Sequence, residues 1–295
     1  MRNRERKLTG LALGTAMAFA IAACGNDAAG PGQPTLTQAE ADLLAQTVTA
    51  DVDAMVQGAG MSNSDAARLP AAPVELGDHP GAQCVPDRSP TPPQNSDADP
   101  VPDSVRLDFT GCVISTPRAT IMYGGTIDII DPTPVDSDFA VKTVYTTFTR
   151  SQTRLISGHI TSVTLNGTRS FLRNSSVLQH TELDFRTDIT FPDGSTAAHV
   201  KDWSSTFTAD VAGSITRGPL PSGTWTITGS SAWTRGNRSY SLTVSTDPAL
   251  HYDASCTEAP RFDSGKLTVV VTRGDRTSTV TIEFTACGQY TVTRS

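Results

Sequence analysis

The sequence predicts an all-β fold. About a dozen mostly antiparallel strands should run as a curved meander, either half-barrel or barrel-like or stacked as a sandwich, with one N-terminal amphipathic helix packed on it. Three observations lead there. From Val105 to the C-terminus, Thr, Val, Ile and aromatic residues alternate with polar ones, and Gly, Asn, Asp and Pro punctuate the runs. The runs lie close enough in sequence to pair as hairpins rather than through crossovers. A helical period precedes them, in residues 37–57.

Taken in order, the chain opens with a basic segment, Arg2, Arg4, Arg6 and Lys7, before a short apolar run from Leu11 to Ala20. That run is too short to span a bilayer as a helix. It ends in Ile21-Ala22-Ala23-Cys24, which resembles the lipobox of bacterial lipoproteins. The resemblance covers the first two dozen residues. It implies that residues 1–23 are a signal peptide, that the thiol of Cys24 is diacylated (palmitate-type chains) before cleavage, and that the freed amine is acylated afterwards. The mature protein would then be held to a membrane of the cell envelope by its N-terminal acyl groups, with the β domain in the periplasm or at the cell surface. Gly25 stands where an Asp marks inner-membrane retention in some bacteria, which favours the outer membrane.

Residues 24–36 carry the acyl site and a small, polar, Pro- and Gly-containing stretch, GNDAAGPGQPT, that reads as a flexible tether. Thr37 and Glu40 then form a T-x-x-E capping box at the start of the helix. Leu44, Val48, Val52, Met55 and Val56 recur at spacings of three and four, Asp42, Asp51 and Asp53 lie away from the centre of that face, and Gly58 reads as a C-cap. Packing on the β domain is the simpler role for this helix, and docking a partner the sharper one. Residues 58–104 contain nine prolines between Pro70 and Pro102 and keep no regular period, so an irregular segment is expected, with polyproline character around Pro90-Thr-Pro-Pro93.

Residues 105–295 form the β domain. In VRLDF, Val105, Leu107 and Phe109 share one face; Phe139, Val141 and Tyr145 share another parity. In HTELDFRTDI, Leu183, Phe185 and Ile189 should point inward, and His180, Glu182, Asp184, Arg186 and Asp188 outward. Turns are expected at Asn166-Gly167, Asp193-Gly194, Gly236-Asn237 and Gly274-Asp275. The Thr-Phe-Thr, Gly-x-Ile-Thr and Gly-Thr elements at 147–168 recur at 206–224, either as a repeat or as the shared vocabulary of hairpins. Because the faces opposite the apolar stripes are polar and aromatics make up only 6% of the chain, the pattern is that of a soluble β domain and not of a lipid-facing barrel with aromatic girdles.

Removing residues 1–23 takes away four basic residues and one acidic residue, leaving 19 basic against 29 acidic and a net charge of −10. Such a chain without a basic cluster is a poor nucleic-acid binder, and anionic lipid headgroups would repel it, so the acyl chains must supply membrane affinity.

Four further cysteines remain. Around Cys84 and Cys112 stand His79-x-x-Ala82-x-Cys84 and VRLDFTGC; around Cys256 and Cys287 stand His251-x-x-Ala254-x-Cys256 and VTIEFTAC. The octapeptides share four identities and three close replacements, and the gaps are 27 and 30 residues. This duplication predicts the disulfides Cys84–Cys112 and Cys256–Cys287, each stabilising its unit by roughly 3–3.5 kcal/mol through loop closure. A four-cysteine zinc site is disfavoured by the lack of CxxC spacing and by an oxidising compartment. With the Gly125-Thr-Ile-Asp-Ile run and the C-terminal IEFTACGQYTVT, these motifs are similar to β-rich envelope lipoproteins of uncharacterised function, a resemblance over about 40 residues that implies fold and location but no activity.

The sequence contains no G-x-S-x-G, no HExxH and no HxH, and Arg261-Phe-Asp-Ser-Gly265-Lys266 fails as a P-loop because Pro260 stands where the first glycine is needed and Leu267 replaces Ser/Thr. His180, Glu182 and Asp184 form the best metal or acid–base set, since on a strand they would share one face at roughly 6.5–7 Å spacing. A solvated outer face explains the same row more simply, and no metal or other cofactor is assigned. His79 and His251, each five residues before a cysteine, suit a structural role such as a ring packed against a disulfide. Asp131, Asp136 and Asp138 could hold calcium but read first as a solvated turn. Trp203, Trp225 and Trp233 read as core or edge anchors.

Three functions follow from this reading: a non-catalytic structural or binding module on a lipid anchor, with ligand and protein partner unassigned; a carrier with an apolar groove under the helix; and a hydrolase with a dispersed site. An apolar cavity under the helix would favour the carrier, and a cleft with Ser or Asp beside His180 or His199 the enzyme.

Overall fold

The computed structural model describes residues 36–64, 84–97, 99, 101–134, 139–216, 218–236 and 238–295. Cys24 with its lipobox and tether, His79, Asp136 and Asp138 lie outside them. One helix, α1 (Gln38–Ser64), is followed by fourteen strands among the described residues. They are β1 (Asp87–Ser89), β2 (Ser104–Asp108), β3 (Cys112–Ser115), β4 (Ala119–Ile130), β5 (Phe139–Arg154), β6 (Ile160–Arg173), β7 (Val177–Thr190), β8 (Thr196–Ala209), β9 (Gly223–Arg235), β10 (Arg238–Thr246), β11 (Leu250–Tyr252), β12 (Phe262–Arg273), β13 (Arg276–Ala286) and β14 (Gln289–Arg294).

All belong to one antiparallel sheet in the order β1-β2-β4-β5-β6-β7-β8-β9-β10-β12-β13-β14. β3 continues beyond β2 along β4, and β11 continues beyond β10 between β9 and β12, so each pair acts as one interrupted strand. The path is open, with β1 and β14 at its edges, which makes the fold a curled meander rather than a two-sheet sandwich.

The helix explains the curl. Leu44, Ala45, Val48 and Val52 are at most 3% exposed and share one cluster with Leu178 of β7, Phe207 of β8, Leu267 of β12 and Phe284 of β13. From β7 to β14 the sheet spans six strand spacings, about 29 Å when flat, against a helix about 10–12 Å across. Strands from both ends of that span reach one helix only if the sheet wraps around it. The capping box starts α1: Thr37 Oγ1 accepts from Glu40 N at 3.2 Å, and Glu40 Oε2 accepts from Thr37 N at 2.7 Å. Arg294 Nη1 donates to Leu36 O at 2.7 Å, tying the helix start to the edge strand β14. Gly58 does not end the helix, which runs on to Ser64. A glycine permits a left-handed cap without imposing one, and no proline intervenes before Pro70.

A second cluster lies at the other end of the sheet, where Val105, Leu107 and Phe109 meet Ile127, Ile129, Phe139 and Val141, and Phe171 touches both clusters. Val280, Ile282 and Phe284 occupy the corresponding buried positions on β13. The disulfides are Cys84–Cys112 and Cys256–Cys287, with Cα separations of 5.2 and 5.7 Å.

Asn166-Gly167, read as a turn from sequence, lies inside β6. It belongs to a line of bulges crossing β4 to β8, where register shifts at Gly124/Thr126, Tyr145/Phe148, Asn166/Thr168 and Glu182/Phe185. Thr147 and Asp184 take positive φ there, 46° and 47°. Their displaced amides donate to the next strand's side chains, Thr147 N to Asn166 Oδ1 at 2.8 Å and Asp184 N to Asp202 Oδ1 at 2.7 Å. Glycine is required opposite each: a Cβ on Gly125 would lie 2.1 Å from Thr147 O, and one on Gly167 2.3 Å from Asp184 O.

Candidate functional site

The bulge at Asp184 overturns the outward reading of His180 and Glu182. It inserts one residue into β7 and reverses the parity on either side, so His180, Glu182 and Phe185 all face inward, while Leu183 is 60% exposed. His180 is 4% exposed and Glu182 8%; Asp184 is exposed and separated from them. The His180–Glu182–Asp184 row is therefore neither a solvated face nor a metal-ligand set.

His180 and Glu182 instead join a polar patch built across β6 to β9 beside the helix. The register sets Arg169 and Phe171 of β6 opposite Glu182 and His180, which in turn face Trp203 and Ser205 of β8. Farther along β8, Lys201 faces Ser231 and His199 faces Trp233. Arg169 Nε meets Glu182 Oε1 at 2.8 Å as an ion pair off the axis of the N–H, and its guanidinium lies 3.9 Å over the Phe185 ring. Lys201 Nζ stands 3.5 Å from Asp51 of α1, so the helix contributes a carboxylate as well as apolar surface.

Burial drives the His180 imidazole down to about 4, against the pull of Glu182 and with help from Arg169 and Lys201. His199 is also lowered to about 4 by burial, with Lys201 acting in the same sense and Asp51 and Glu182 opposing. Burial pushes Glu182 up, but Arg169, Lys201 and His180 outweigh it and hold the carboxyl below its ordinary value. At neutral pH the patch thus holds two neutral imidazoles among balanced charges. His180 Nδ1, Trp203 Nε1 and Ser205 Oγ are buried without a hydrogen-bond partner among the described residues.

His199 Nε2 lies 2.5 Å from Ser231 Oγ, the kind of pairing that sequence reasoning set as the mark of an enzyme. A neutral imidazole can accept a hydroxyl proton there. No third group among the described residues orients His199 through Nδ1, and Ser231 is 5% exposed in the middle of β9, its backbone in the sheet ladders. Among the described residues this is a dyad without the orienting group or the turn that exposes a nucleophile.

The other candidates take distinct places. His251 bridges two carboxylates, Nδ1 to Asp263 at 2.7 Å and Nε2 to Asp210 at 3.0 Å, and its pKa is raised first by Asp210 and then by Asp263. Trp203 and Trp225 are buried, and Trp233 stacks on Tyr240 at 5.4 Å, as core and edge anchors do. Asp131 is 4% exposed, not a solvated turn; it follows β4 directly, and its amide donates to Asp103 O at 3.2 Å. One carboxylate oxygen from each of Asp97, Asp99 and Asp131 lies within 4.8 Å of the others. Asp253 gathers with Cys256 and Cys287 at similar range, but the disulfide leaves no thiolate to ligate a metal.

Sequence reasoning missed Arg169, Lys201, Ser231, Asp97 and Asp99. The β8 residues were within reach: counting back by twos from Phe207 gives Ser205, Trp203, Lys201 and His199 on one face. Asp97-x-Asp99 lacked any period, and its partner Asp131 lies more than 30 residues on. No helix among the described residues is long and apolar enough to cross a membrane. Comparison with protein families, curated proteins and solved structures finds no match for this chain.

Proposed function

We propose that this chain is a lipid-anchored protein of the bacterial cell envelope whose β domain is a non-catalytic structural or binding module. The observation that carries this reading is the basic segment, short apolar run and Ile21-Ala22-Ala23-Cys24. Twelve residues, 25–36, separate Cys24 from the helix cap at Thr37 and can extend at most about 40–43 Å, so the anchor would keep the domain close to the membrane. Two disulfides suit an oxidising compartment. Because acylation uses the Cys24 thiol, Cys24→Ser should yield unprocessed or unacylated protein that leaves the detergent phase in a detergent-partitioning experiment. Equal recovery of wild type and variant in detergent would sink the reading.

A hydrolase is the second reading, and the His199–Ser231 contact favours it. A fluorophosphonate probe separates the two: a non-catalytic module stays unlabelled, whereas labelling that Ser231→Ala abolishes establishes an activated serine.

A further inference from the structure

We propose that Asp97, Asp99 and Asp131 form a calcium-binding site that fastens the loop bearing Asp97 and Asp99 to the end of β4. The loop is closed at its base by Asp103 N donating to Gln94 O at 2.9 Å, and Val101, fully buried in the second core cluster, pins it to the sheet. Asp131 follows β4 directly, and its amide donates to Asp103 O at 3.2 Å. The fold therefore brings two carboxylates from the loop to one from the strand end.

The hydrogen bonding divides each carboxylate into a used and an unused oxygen. Asp97 Oδ1 accepts from Asp99 N at 2.9 Å, Asp99 Oδ1 from Val101 N at 2.6 Å, and Asp131 Oδ1 from Thr133 N at 2.8 Å. The three Oδ2 atoms are buried and accept no hydrogen bond among the described residues. Asp131 carries the argument, because it is 4% exposed and its Oδ2 still accepts no hydrogen bond among the described residues. Burying an ionised oxygen with no donor costs far more than exposing it, and three like charges within 4.8 Å add repulsion. None of the three pairs with a Lys or Arg among the described residues.

A cation resolves all of these at once, and the donors select its class. Oxygen-only, carboxylate-rich sites suit hard cations. Calcium takes several carboxylates in flexible geometry at about 2.3–2.6 Å, whereas magnesium keeps several of its waters and is held by one or two carboxylates, so a set of three carboxylates suits calcium better. Two carboxylates from a loop and one from a strand end, with water completing the shell, correspond to an affinity of about 10⁻⁴ to 10⁻³ M, the range of extracellular modules.

Calorimetric titration of the EDTA-treated, dialysed full-length mature protein with CaCl2 should show one site. At 10 mM CaCl2 its melting temperature should lie about 3–6 °C above that in EDTA. Asp131→Asn should abolish both effects. Asp97→Asn, on the loop, provides the same test should Asp131→Asn fail to fold, and Asp188→Asn, remote from the cluster, should keep the shift. Either cluster variant should melt in EDTA at or above the wild-type temperature, because repulsion is relieved. Absence of calcium binding by the wild type, retention of the shift by Asp97→Asn, or an equal shift with MgCl2 would each overturn the assignment.

Discussion

His180 and His199 show how one inserted residue redirects the chemistry of a strand. The bulge at Asp184 turns His180 inward, and burial holds both imidazoles at about 4, well below the ordinary value near 6.5. In the unfolded chain each binds a proton as pH falls through about 6.5, while in the fold each stays neutral to about 4, so acidification across that window favours unfolding by up to about 1.4 kcal/mol per pH unit for each ring. His251 has the opposite sign. Its pKa is raised by Asp210 and Asp263, so its contribution is complete below the unfolded value and fades as pH rises through the folded one. These three groups together place maximum stability near pH 6.5, with Glu182 adding a further loss below its ordinary range. Urea melts between pH 4.5 and 8 should show that maximum. His199→Gln should flatten the acid limb, and His251→Gln the alkaline one; an unchanged acid limb in His199→Gln would mean that this ring is accessible to protons in the fold.

Among the elements, the line of bulges through β4 to β8 does most to shape the sheet, and it was the least legible feature in the sequence. Alternation correctly placed Val105, Leu107 and Phe109 with Val280, Ile282 and Phe284 in the core, because those runs contain no inserted residue. In HTELDFRTDI it placed Phe185 inward correctly but failed on His180, Glu182 and Leu183, because a two-residue period cannot reveal where the count slips by one. The signal was instead in Asn166-Gly167, read as a hairpin turn when it serves a bulge within β6. Gly167 has φ +105°, and its missing Cβ makes room for Asp184 O. Gly167→Ala should therefore destabilise well beyond the roughly 1 kcal/mol of an ordinary strand substitution, about 2–4 kcal/mol. Gly194→Ala, at an open turn where a Cβ meets nothing within 4 Å, should cost less although its φ is also positive. Urea melts of the two variants decide it, and equal losses would show that strain in φ, not the approach of Asp184, governs both sites.

At the scale of the whole molecule, the duplicated cysteine motifs explain how an open sheet of fourteen strands ends. In each copy the strand after the first cysteine pairs antiparallel with the strand before the second: β1 with β2, Arg88 opposite Leu107, and β12 with β13, Leu267 opposite Ile282. The copies sit near opposite edges of the sheet, each closed by its own disulfide. Unpaired edges invite association with other chains, and here one edge is a three-residue strand while the other, β14, is held against the helix start through Arg294 and Leu36. This plan was readable because the two octapeptides match by eye. The polar patch and the acidic loop were not, because their members come from strands and loops whose meeting depends on the curl. The plan also bears on stability. The closed loops are of similar length, with separations of 28 and 31 residues, so loop-closure entropy alone gives nearly equal contributions of about 3.5 kcal/mol. Packing breaks the symmetry, since β13 lies in the cluster that includes α1 and β2 lies in the smaller one. Cys256→Ala/Cys287→Ala should therefore lower the stability of the whole protein by about 2–5 kcal/mol. Cys84→Ala/Cys112→Ala should loosen chiefly the β1–β3 end, seen as faster amide exchange in β2 with slower change around α1. Equal exchange throughout both variants would show that the sheet unfolds as one unit, and non-reducing peptide mapping that joined Cys84 to Cys256 or Cys287 would remove the premise of two separately closed edges.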